Sequence, residues 1–236
     1  MSRTTFEMGR EGVGLLRMDR PDALNAIDTA MLDEMVGHLE ASREDPEVRV
    51  VVLSSTDYSA FSAGADLKEE LDHEGKVERM QKFADLYDLV VGFPKPTLAA
   101  CHGYTVGGGA EIAVGCDIRI GGSNLQMRFP GAALGVPVGA ARLVTLCGLG
   151  AAKYLLLGSQ TVKADEALRI GLISRVAPGS ATEEATLELA GRMAEFDPES
   201  VARLKQMLHR WDDVEGRSAD EGRGQVTWQD EGPGLG

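Results

Sequence analysis

The sequence predicts an α/β fold with a helical C-terminal region, and three observations carry that prediction. A strand, a glycine-bearing turn and a helix follow one another twice, once around Gly64 and once around Gly108. The run from Val48 to Leu53 is almost continuously apolar, as in a strand covered on both faces. From about Ala181 the pattern changes to helical segments with no strand between them. A chain of 236 residues, 43% hydrophobic and 26% charged, can bury a full core. We expect that core over residues 1–180 and a helical appendage over residues 181–236.

The elements follow in order. Thr4 to Met8 and Gly12 to Met18 read as a hairpin turning at Arg10-Glu11-Gly12, with Arg20-Pro21 ending its second strand. Asp28 stands as an N-cap before Met31, Met35 and Leu39, which recur at helical spacing until Glu44-Asp45-Pro46 stops them. A charged helical stretch follows Phe61-Ser62-Ala63-Gly64-Ala65-Asp66 and runs to about Val91; a short strand occupies Thr97 to Cys101. Gly107-Gly108-Gly109 opens a third helix, to about Cys116, before a strand at Asp117 to Ile120.

The formal charge of −13 disfavours nucleic acid and anionic membrane surfaces as partners, since both would repel most of the molecule. No N-terminal export pattern is present, and no uninterrupted apolar run reaches about 18 residues, so membrane insertion is not expected. Cys101, Cys116 and Cys147 lie in apolar or glycine-rich surroundings without paired spacing, which reads as reduced thiols and a cytoplasmic location. His38, His73, His102 and His209 are scattered without ligand spacing, and no metal site is expected.

Two glycine motifs carry the chemistry. In Phe61 to Lys68, Gly64 can take positive φ and turn the N–H of Ala65 out of the sheet toward a ligand. In Gly103 to Glu111, three glycines at a helix start leave free N–H groups at the end where the macrodipole favours negative charge. Glu111 lies three residues past Gly108 on the same helical face, and its neighbours Ala110, Ile112 and Ala113 are apolar. A carboxylate beside an anion-holding N–H is an acid/base arrangement. Phosphate-binding loops and nucleophile elbows are excluded by the missing Gly-Lys-Ser/Thr, Gly-x-Gly-x-x-Gly and Gly-x-Ser-x-Gly patterns.

Taken together and in this order, the two motifs resemble the enoyl-CoA hydratase/isomerase (crotonase) superfamily. Leu16 to Ala26 is similar to that family's opening strand and turn, and Ala164 to Val176 to the segment after its second loop. The resemblance implies a spiral of ββα turns with C-terminal helices that build homotrimers or dimers of trimers. It implies that Ala65 and Gly108 polarise the thioester oxygen of an acyl-CoA substrate and that Glu111 is a catalytic acid/base, with no further cofactor. Ala23, Leu24, Ala63, Asp66, Leu67, Gly107, Pro130 and Gly131 would then contact substrate or its CoA portion. The net negative charge is compatible with CoA if a few cations or helix N-termini meet its phosphates.

One position departs from the family pattern. The hydratases carry a second glutamate after a proline; here Met127-Arg128-Phe129-Pro130-Gly131 puts Gly131 there, and no Asp or Glu occurs from Ile118 through Ala164. An oxyanion donor is worth about 2.7–4 kcal/mol, whereas a lost proton-transfer group costs about 10²–10⁴-fold in rate. Enolate chemistry is therefore expected to survive the loss better than two-glutamate hydration. A second carboxylate or a tyrosine could come from the helix after the first loop, where Glu69, Glu70, Glu78, Asp85, Tyr87 and others are available.

Overall fold

A computed structural model describes residues 2–235. Strands β1 (Thr4–Met8) and β2 (Val13–Met18) form the expected antiparallel hairpin. Helix α1 (Thr29–Glu44) is capped by Asp28, whose carboxylate accepts from the Met31 N–H at 2.9 Å, and it buries Met31, Met35 and Leu39. Strand β3 (Val50–Ser55) is buried along its whole length, as its unbroken apolar run demands.

Each following turn of the chain makes a long strand, a short strand and a helix. The first is β3, β4 (Ala60–Ser62) and α2 (His73–Val91); the second is β5 (Thr97–Cys101), β6 (Tyr104–Val106) and α3 (Gly108–Gly115). The third is β7 (Ile118–Gly122), β8 (Gln126–Arg128) and the single turn α4 (Gly131–Leu134), continued by α5 (Ala140–Gly158). After β9 (Thr161–Lys163), α6 (Ala164–Arg169) and β10 (Arg175–Ala177), the chain ends in α7 (Thr182–Ala194), α8 (Pro198–Asp212) and α9 (Val214–Glu231). The long strands join in a sheet of order β1-β2-β3-β5-β7-β10, and the short ones in a second sheet of order β4-β6-β8-β9. This is the spiral of ββα turns.

Three differences from the sequence expectations have physical causes. Helix α2 starts at His73, several residues later than expected, because the Asp66 carboxylate turns the chain by accepting from the Lys68 N–H at 2.9 Å. Asp72 then supplies the cap, accepting from Gly75 N–H at 2.8 Å. Strands β4 and β6 were hidden inside the glycine motifs, being too short to show an alternation. The C-terminal helices do not stand apart as an appendage. Ala190 and Ala194 of α7 cover the face of the large sheet formed by Val13, Leu15, Val50, Val52 and Leu98. Helix α9 lies along α2 with the small or polar stripe Ser218, Gly222, Gln225 and Gln229 inward.

Helix α5 is long and apolar enough, by length and composition, to cross a membrane. Its first turn, however, carries the buried Arg142, ion-paired to two carboxylates of this fold. Cys101 and Cys116 are buried free thiols, pushed up to about 12 by burial, while Cys147 is only half-buried.

Candidate active site

The two glycine motifs meet. Gly64 has φ 92°, and a methyl group there would come 2.8 Å from the Val106 carbonyl oxygen and 3.2 Å from the Gly108 nitrogen. Only glycine lets the loops approach this closely. Ser62 braces the first loop, its hydroxyl accepting from Gly64 N–H at 3.1 Å and donating to the Asn25 carbonyl at 2.7 Å. Ile27 donates to the Gly64 carbonyl at 2.8 Å and accepts from Asp66 N–H at 2.9 Å, a one-residue bridge that fixes Ala65 between them. Among the described residues no acceptor takes the Ala65 N–H.

Gly107, at φ 52°, turns the chain into α3 and donates to the Arg128 carbonyl at 3.0 Å. The next N–H, that of Gly108 in the first turn of the helix, has no acceptor among the described residues. Both N–H groups therefore remain available to a ligand. Their residues line one cavity of about 280 Å³.

Most of the positions singled out in the sequence come together here. Ala63, Ala65, Leu67, Gly107, Gly108, Glu111, Pro130 and Gly131 all line the cavity. Ala23, Leu24 and Asp66 lie outside it. Leu24 is exposed and accepts from Ala63 N–H at 2.9 Å, supporting the first loop from behind. Asp66 binds Arg20 at 2.6 Å, which holds its carboxyl below the ordinary range against the opposing effect of burial. It shares a separate cleft with Ala23, Arg3, Arg20 and Lys68, the cations nearest the first loop.

Glu111 is 1% exposed and half-satisfied. Its Oε2 accepts from Arg142 at 2.9 Å and 3.2 Å, while Oε1 is buried with no hydrogen-bond partner. Arg142 is itself buried and reaches Glu221 of α9 at 2.8 Å and the Ser218 hydroxyl at 3.1 Å. Glu221 in turn accepts from the N–H groups of Gly139 (3.0 Å) and Ala141 (2.9 Å), capping α5 at the end where a negative charge is favoured. One cation thus faces two carboxylates. Burial pushes Glu111 up to about 7; Arg142 pulls it down and Glu221 raises it further. A carboxyl group balanced near neutrality, with one oxygen unengaged and its residue lining a cavity, is poised to take or give a proton.

Sequence reasoning missed Arg142 and Glu221, which lie 31 and 110 positions from Glu111 with no motif joining them. Of the candidates on the helix after the first loop, only Tyr87 lines the cavity. The opposite wall is apolar: Met80, Val136 and Leu235 pack together with Ala65 and Val138 around Gly131. A side chain at Gly131 would begin 2.5 Å from the Val136 carbonyl oxygen, so the loop has no room for one at this position as it stands. His102, beside the second motif, is fully buried and bonded to the Ser55 hydroxyl at 2.9 Å, a packing role.

Comparison with known proteins identifies the family. The profile of the enoyl-CoA hydratase/isomerase family matches residues 8–224. The chain is 38% identical over 212 residues to the short-chain-enoyl-CoA hydratase of Clostridium acetobutylicum, covering 85% of this chain and 79% of that one. It is 34% identical over 218 residues to an enoyl-CoA isomerase/hydratase of Mycosarcoma maydis, covering 86% and 79%. Its fold superposes on an enoyl-CoA hydratase/isomerase from Xanthobacter autotrophicus with a TM-score of 0.88 at 28% identity, over 99% of this chain and 89% of that one. The chain belongs to the enoyl-CoA hydratase/isomerase family.

Proposed function

We propose that this enzyme binds an acyl-CoA, holds the thioester oxygen between the N–H groups of Ala65 and Gly108, and uses Glu111 to move a proton at the acyl chain. The observation that carries the reading is Glu111: a buried carboxyl with one unpartnered oxygen, on a residue that lines the same cavity as Ala65 and Gly108. As the carboxylate removes a proton, negative charge spreads onto the thioester oxygen, where the two N–H groups stabilise it. Glu111 can return the same proton to a different carbon. A double-bond shift in an enoyl-CoA asks for one such group, whereas hydration also asks for a second group to deprotonate water. The apolar wall at Gly131 therefore favours isomerisation over hydration.

Two assays separate these readings. In D2O, butyryl-CoA should exchange its α-protons, and Glu111→Gln should abolish that exchange. A 3-enoyl-CoA should be converted to the 2-enoyl isomer faster than a 2-enoyl-CoA is hydrated. Tight binding of butyryl-CoA with neither exchange nor conversion would identify a non-catalytic acyl-CoA binding protein instead.

The same reading extends to assembly and location. Leu149 and Leu157 of α5 and Leu204, Leu208 and Trp211 of α8 are exposed apolar side chains, which suits burial against further copies in a homotrimer or dimer of trimers. Light scattering on the purified protein tests that. The free thiols suit the reducing conditions of the cytoplasm.

A further inference from the structure

The cavity lining holds a polar group with no assigned work. Tyr87 of α2 is 4% exposed and lines the cavity beside Gly108 and Glu111. Its position relative to Gly108 is close: a methyl group on Gly108 would lie 3.2 Å from the Tyr87 hydroxyl and 2.8 Å from the Phe83 ring. The missing side chain at Gly108 thus leaves an opening that the phenol borders. Among the described residues the hydroxyl makes no hydrogen bond to the protein, although the ring is firmly held. The Arg142 guanidinium stands 5.0 Å from its centroid, and Phe83 packs against it at 5.8 Å between centroids.

Other polar side chains lining the cavity are engaged elsewhere. Arg128 donates to Ser159 at 2.9 Å, and Gln225 is turned onto the Met80 sulfur at 2.7 Å. The phenol carries the one hydroxyl among the side chains of the lining.

We propose that Tyr87 is a second catalytic residue, whose phenol O–H donates a hydrogen bond to the enolate formed at Gly108. This rests on the reading that Ala65 and Gly108 hold a thioester oxygen. The phenol stays intact: its O–H bond does not break, Glu111 carries the moving proton, and Tyr87 adds a third donor to the charge that the backbone pair holds. Burial supports the role, because it keeps the phenol protonated well above its ordinary range. A neutral donor of this kind cannot deprotonate water. Tyr87 therefore replaces the stabilising half of the absent glutamate's work and not its basic half, which narrows the substrate class to enoyl-CoAs whose double bond can migrate.

The test uses Tyr87→Phe in the full chain, with butyryl-CoA carrying a 13C thioester carbonyl as the probe. In the wild type, the bound carbonyl stretch should move to lower frequency than in free butyryl-CoA. In Tyr87→Phe the shift should shrink without vanishing, and α-proton exchange should slow about 10²–10³-fold with KM little changed, as for loss of one oxyanion donor. An unchanged stretch and an unchanged exchange rate in a folded Tyr87→Phe protein would overturn the assignment of Tyr87 alone. A wild-type stretch identical to that of free butyryl-CoA would overturn the oxyanion reading, and the Tyr87 assignment with it.

Discussion

The two walls of the cavity are built on opposite principles. Glu111 of α3 is backed by an ionic network with Arg142 and Glu221, and Tyr87 lines the cavity beside it. The wall from Pro130 to Val138 is apolar, closed by Met80, Val136 and Leu235. Around Glu111 the lining carries a buried carboxyl and a phenol, whereas the segment from Pro130 to Val138 has no ionisable side chain.

The most damaging way to break this contrast is to make the ionic wall apolar from within. Arg142→Met leaves two buried carboxylates facing each other, which should cost about 3–5 kcal/mol of stability; thermal unfolding beside the wild type measures it. Glu111→Gln keeps the shape and removes only the proton carrier. It should lower α-proton exchange about 10²–10⁴-fold while chemical denaturation shows no comparable loss of stability.

The apolar wall can be challenged in the opposite sense. Gly131→Glu restores the family's residue, but its first carbon meets the Val136 carbonyl. Overpacking of this kind should cost about 1–3 kcal/mol, and hydration of a 2-enoyl-CoA should not rise. A gain in hydration would mean that this loop opens to admit the carboxylate.

The smallest effect lies in the pH profile. Burial raises Glu111 to about 7, so its carboxylate fills as pH rises through that value. Exchange should climb about tenfold per pH unit below it, where 1.36 kcal/mol corresponds to one unit, and level off above. Because the charge on Glu221 pushes Glu111 upward, Glu221→Gln should move this limb to lower pH. A limb that stays in place would separate Glu221 from the proton equilibrium.

The sequence made the backbone half of the site legible and hid most of the side-chain half. Gly64 and Gly108 could be read because positive φ and close approach leave a signature in residue type, and Glu111 because it stands one helical turn from Gly108. Arg142 and Glu221 leave no such mark. Each looks like an ordinary charge on an amphipathic helix, and only the packing of α9 along α2 brings Glu221 to the first turn of α5. In the fold, α1 and β3 followed from an N-cap and an unbroken apolar run. The late start of α2 depended on the carboxylate of Asp66, and the inward face of α9, being small and polar, carried no hydrophobic period to read.

Glu221 gives the C-terminal helix a meaning beyond packing. The residue that completes the charge balance around the acid/base group is drawn from the far end of the gene, so the acidity of the reaction centre is set by whichever sequence supplies α9. Grafting that helix from a relative would change the charge around Glu111 and, at Gln225, the lining of the cavity as well.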